Sequence, residues 1–179
     1  PVRFWAVNGP SSAAKTREDL RREARLLAGM GVNMVRIHGK VFNDQGEPDL
    51  TRVRHVIDIV ETMKEEGIYS HLSIYFPLWF RPKPDNSWLE GYNGDNHPFA
   101  ALMFNEGFQE KYREWWRVLL QTPSPETGRQ LVDEPALFGA EIQNEDSFFF
   151  WTFAEGNIPE PQLAMLEGQF ARWLIERYG

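Results

Sequence analysis

Residues 137–146, LFGAEIQNED, form an apolar run that breaks into an amide next to a carboxylate. If 137–142 is a strand, Gln143, Asn144 and Glu145 leave the sheet at its carboxyl end, where active sites form in parallel α/β folds. Glu145 is then a candidate acid or base and Asn144 a candidate hydrogen-bond donor. The same residues also suit a turn that Asn144 opens, with Glu145 solvated. The tetrapeptide alone does not decide between the two. Arg36 also follows an apolar run, ahead of His38 and Gly39. A guanidinium there can fix a carboxylate, or it can pair with a carboxylate in the core. Asn8 ends a similar run, and His38 and His71 are single histidines of the kind that more often bond within a core or rim than catalyse.

Aromatic residues surround these candidates. The run Phe148, Phe149, Phe150 and Trp151 can desolvate Glu145 and raise its pKa, or it can simply pack. Trp79, Trp88 and Trp151, with Phe80, are candidate platforms for a ring-shaped ligand. No spacing of histidines and carboxylates suggests a metal site, and no cofactor is expected.

The elements that must position these groups show in the hydrophobic periodicity. Short apolar runs at 4–8, 32–38, 68–76 and 137–142 read as strands. Amphipathic patterns separate them. Thr16 with Asp19 caps a first helix, whose Leu20, Ala24 and Leu27 form one stripe ending at Gly29 and Gly31. A second helix starts near Asp49, buries Val53, Val56, Ile57, Val60 and Met63, and stops at Gly67. Its other face, with Arg52, Arg54, Asp58, Glu61, Lys64 and Glu65, reads as solvated, and His55 as surface. A third helix over 108–121 buries Phe108, Tyr112, Trp115 or Trp116, and Leu119. The fourth, over 160–178, uses Leu163, Leu166, Phe170, Trp173 and Leu174. The long connection 77–107 carries five aromatics by residue 99, which argues for a functional loop. Four strand–helix rounds predict an α/β fold with parallel strands.

Composition narrows the partners. The 179 residues are 42% hydrophobic and carry a net charge of −7, which fits one sizeable core and argues against nucleic acid. No run is long and apolar enough to span a bilayer, so no membrane is expected. Without cysteine, disulfide and thiolate chemistry drop out, while the compartment stays open.

With VNG after the first run, MVRIH in the second, GIY leading into the third and TGRQLVDEPALFGAEIQNED leading into the fourth, nearly the whole chain resembles the N-terminal half of a clan A glycoside hydrolase, most similar to the cellulase-like family five. The resemblance implies a (β/α)8 TIM barrel of which residues 1–179 supply the first four β/α units of one catalytic domain, the other half lying elsewhere in a longer chain. It implies a retaining hydrolase of a β-linked oligo- or polysaccharide, with Glu145 as general acid/base and Asn144 binding the sugar 2-hydroxyl. Arg36 would support a nucleophilic glutamate from the seventh strand, which this sequence lacks. Residues 1–179 alone are therefore expected to be inactive. A polysaccharide substrate further implies an extracellular or periplasmic setting. The competing expectation is a catalytically inactive carbohydrate-binding or scaffold protein on the same fold.

Overall fold

The computed structural model describes residues 3–11 and 15–179. They divide into two compact units, the first Pro1–Val41, Pro48–Tyr75 and Trp116–Asn144, the second Phe42–Glu47, Phe76–Trp115 and Glu145–Gly179.

The first unit holds a four-stranded parallel sheet in the order β1 (Ala6–Asn8), β2 (Met34–His38), β3 (Tyr69–Ser73), β4 (Leu137–Glu141). The strands lie where the apolar runs predicted them and are shorter at their ends. Helices α1 (Arg17–Gly29) and α2 (Leu50–Glu65) connect the first three. Both helix starts are written in the sequence. Thr16 Oγ1 accepts from the Asp19 N–H at 3.1 Å while Asp19 Oδ2 accepts from the Thr16 N–H at 3.2 Å, a reciprocal cap. Asp49 Oδ1 accepts from the N–H groups of Thr51 and Arg52. After α2 the chain turns through Gly67 at φ +75°, a left-handed conformation that a side chain would oppose. Leu20 and Ala24 of α1 and Val53, Val56, Ile57, Val60 and Met63 of α2 are buried as their spacing predicts.

The sheet curls. On the side where Arg36 alternates with buried Val35 and Ile37, the ring of Phe4, just before β1, lies 4.7 Å from that of Phe138 on β4. Outer strands of a flat four-stranded sheet would stand about 14 Å apart. Tyr69 joins the cluster at 5.9 Å from Phe4. A bulge helps: Ser70 pairs with Leu137 but His71 with Gly139, so Phe138 is the extra residue.

The polar face of α2 departs from expectation. Glu61 is buried rather than solvated: Arg17 reaches it at 2.9 Å and the Thr127 hydroxyl donates to it at 2.8 Å. Lys64 pairs with buried Glu134 at 2.8 Å. These partners come from α1 and the 122–136 connection, which helical periodicity cannot foresee.

The second unit is built on aromatic packing. Phe42 stacks on Trp115 of α4 (Glu106–Gln121) at 3.9 Å, and Phe80 stacks on Trp88 at 5.6 Å. A short α3 (Ala101–Phe104) precedes α4. Trp115, not Trp116, is the fully buried tryptophan, and its Nε1 donates to the Gly46 carbonyl at 2.8 Å. Helix α5 (Glu160–Tyr178) differs from expectation. Its buried residue is Gln162, which accepts from Asn105 and donates to the Glu90 carbonyl. Phe170, Trp173 and Leu174, expected in a core, are exposed, with Phe170 stacked on Trp173 at 5.8 Å.

Candidate active site

Parallel register builds the site. Asn8 stands opposite Arg36 and Arg36 opposite His71, while one step further His38 stands opposite Ser73 and Ser73 opposite Glu141. In-register partners share a face, so these side chains line the concave side at the carboxyl ends of the strands.

Arg36 is the hub. Its Nη2 donates to Glu141 Oε2 at 2.5 Å, Asn144 Oδ1 at 2.8 Å and Ser73 Oγ at 3.2 Å, and its Nη1 donates to Asn8 Oδ1 at 3.2 Å. Nη2 has two hydrogens for three acceptors, so at least one is shared. Nε and the second hydrogen of Nη1 have no protein partner among the described residues. The guanidinium therefore keeps donors for another carboxylate.

Burial pushes the Glu141 carboxyl up, but hydrogen bonds from Ser73 and Arg36 and the charges of Arg36 and His38 outweigh it, and the net shift is downward. Glu141 is thus an anion at neutral pH. Ser73 has one proton, and giving it to Glu141 leaves its oxygen to accept from Arg36 and from His38 Nδ1, 2.9 Å away. That bookkeeping makes Nδ1 the His38 nitrogen that donates to Ser73. It also fixes Asn144: its Oδ1 faces Arg36, so its Nδ2 hydrogens are turned elsewhere. His71 lies on the same face, its ring against Gly139, where a Cβ would come within 3.5 Å.

Arg36, Asn8, Asn144 and His38 are therefore gathered as the sequence suggested. Glu141 and Ser73 were missed. Both sit inside apolar strands, and the usable signal was strand alternation, which puts an acid at 141 on the face of Arg36 once the register is known.

Glu145 and the predicted platforms belong to the second unit. Glu145 is exposed at φ +44°, a left-handed backbone that costs a residue with a Cβ about 1–3 kcal/mol and tends to occur at functional sites. The next residue anchors it. Asp146 is buried, and both its oxygens lie 2.9 Å from the N–H of Ala100, which among the described non-glycine residues shares a positive φ with Glu145. Trp88 lies between Phe80 and Phe108, so its ring anchors the long loop. Trp151 is 87% exposed. Of the aromatic run, Phe148 packs on Phe104 and Phe153 while Phe149 is open to solvent. Trp79 lines a cavity of about 310 Å³ with Phe80, Arg81, Lys83, His97 and Asp44. His97 Nδ1 donates to the Phe80 carbonyl at 2.8 Å, which leaves Nε2 to act on whatever enters.

Among the described residues no group of three or more histidines and carboxylates could hold a metal ion, and no helix is long and apolar enough to cross a membrane. No family model, curated protein or solved structure matches the chain.

Proposed function

We propose that the chain supplies the first four β/α units of a (β/α)8 barrel and acts as part of a retaining glycoside hydrolase on β-linked carbohydrate. The observation that carries the reading is the Arg36 hub, which holds Asn144 by its carbonyl oxygen at the carboxyl end of a curled parallel sheet. An amide held that way offers its NH₂ to a sugar hydroxyl. Glu145 follows directly as the acid/base. It protonates the leaving oxygen in the first step and deprotonates water in the second, and the reaction further requires a nucleophile carboxylate roughly 5 to 5.5 Å away. The spare N–H groups of Arg36 would orient that nucleophile.

One observation favours a second reading, a carbohydrate-binding protein without hydrolysis: Glu141 already neutralises Arg36. Replacing Glu145 by alanine in the full-length protein separates the two. As acid/base, its loss slows substrates with poor leaving groups severely and activated aryl glycosides less. Azide then restores turnover and leaves as a glycosyl azide of unchanged anomeric configuration. Unchanged hydrolysis in Glu145→Ala refutes the assignment. A full-length protein that binds oligosaccharides and hydrolyses none supports the second reading.

A further inference from the structure

A cavity of about 580 Å³, within the usual range for small-molecule sites, opens in the first unit between the carboxyl ends of β1 and β2 and the first turns of α2. His38 is among its lining residues, and His38 Nδ1 is also bonded to Ser73 of the Arg36 hub. Ile37, Val56 and Ile59 give it an apolar floor, while Lys40, Arg52 and His55 supply basic groups. Arg52 and His55, three residues apart, share a helix face.

The charge balance of this wall is the informative feature. In a chain of net charge −7, the described lining contains one carboxylate, Asp49, and that group is committed. Its Oδ1 caps α2 through the N–H groups of Thr51 and Arg52, and its Oδ2 accepts from Arg52 Nε at 3.1 Å. Neither the terminal nitrogens of Arg52 nor the ring of His55 has a protein partner among the described residues. A planar fork of N–H donors beside an imidazole suits a carboxylate.

We propose that this cavity binds an acidic sugar, a uronate, with Arg52 and His55 as donors to its carboxylate. The anion half of the proposal rests on the cavity alone, and the sugar half rests on the glycosidase reading.

The test is a titration of the full-length protein with glucuronate, glucose, acetate and sulfate, followed by calorimetry and by the NMR signals of the His55 ring. Glucuronate is expected to bind at least tenfold more tightly than glucose, to shift the His55 signals, and to weaken as salt is added. Arg52→Ala and His55→Ala should each weaken it about tenfold. Arg52 also braces the Asp49 cap, so His55→Ala, which leaves the cap intact, is the decisive variant, with melting temperatures confirming that both fold. Equal binding of glucose and glucuronate, or glucuronate binding unchanged in both variants, overturns the proposal. Acetate or sulfate competing as well as glucuronate would reduce the cavity to a bare anion site and overturn the sugar half. The outcomes separate from those for Glu145. If Glu145→Ala hydrolyses normally while glucuronate binding depends on His55, the glycosidase assignment fails and the site stands. If azide rescue succeeds and the uronate has no advantage, the reverse holds.

Discussion

Arg36 and Glu141 meet at 2.5 Å across the width of β3, the strand that separates theirs, and the Ser73 hydroxyl of that strand bonds to both. Two strand spacings set their strands about 9.6 Å apart, a gap that the two long side chains together bridge. Glu141→Gln keeps the shape and removes the charge, and should cost about 1–3 kcal/mol. Arg36→Met should cost more, because it strands a half-buried carboxylate. The double variant Arg36→Met, Glu141→Leu should cost clearly less than the sum of the two singly changed proteins Arg36→Met and Glu141→Leu. Urea unfolding of the four variants measures the coupling, and strict additivity would show that the pair contributes nothing of its own.

Glu61 leads to a pH prediction. Burial pushes its carboxyl up, but hydrogen bonds from Ser124, Thr127 and Arg17 and the charge of Arg17 pull it further down, so its folded pKa lies below its unfolded value. Its contribution is therefore fully present above an unfolded pKa of about 4.3 and fades as pH falls through the lower folded value. The stability gap between wild type and Glu61→Gln should be constant near neutrality and close progressively below about pH 4. Denaturant midpoints from pH 7 to pH 3 decide it; a gap that widens in acid would mean the shift has the opposite sign.

Glu61 also marks where sequence reasoning stops. The strand–helix alternation was legible because each step is local: apolar runs give strands, Thr16 with Asp19 and Asp49 give helix starts, and Gly67 gives a stop. Partners are not local. Position 61 lies on the polar side of α2, and only the approach of Arg17 and Thr127 makes that position a buried one. Glu141 was overlooked for a related reason, since its role depends on the register of β4 against β3. On α5 the spacing of Phe170, Trp173 and Leu174 tells which residues point the same way, but not what covers them. Asn144 was legible because it follows an apolar run, and Arg36 because it interrupts one between Val35 and Ile37; chain direction then sets both toward the carboxyl end of a parallel sheet.

Gly46 should be intolerant of any side chain. Its φ is +78°, a Cβ there would come within 2.7 Å of the Trp88 ring, and its carbonyl is the acceptor for Trp115. Gly46→Ala combines backbone strain with an aromatic clash and is expected to cost about 2–4 kcal/mol. Gly128, at φ +70° with open space around it, serves as the control, and Gly128→Ala should cost about 1 kcal/mol. Thermal melts followed by near-ultraviolet circular dichroism report both; equal losses would mean that the Trp88 contact is irrelevant.

Asn144 provides the sharpest test of the sugar contact, because its two amide atoms have separable tasks. Oδ1 accepts from Arg36, and Nδ2 is left to donate. Asn144→Asp retains an acceptor for Arg36 but loses the donor, so the hub should survive while binding of the 2-hydroxyl fails. Hydrogen bonds to that hydroxyl strengthen as the ring approaches the oxocarbenium-like state. The loss should therefore fall on kcat/KM, by roughly a hundredfold in the full-length protein. A substrate lacking the 2-hydroxyl removes the same interaction from the other side. On that 2-deoxy glycoside, wild type and Asn144→Asp should differ by less than about threefold, since neither can form the bond. If Asn144→Asp instead loses the same factor on both substrates, Asn144 acts only by bracing Arg36, and the 2-hydroxyl contact must be assigned to another donor.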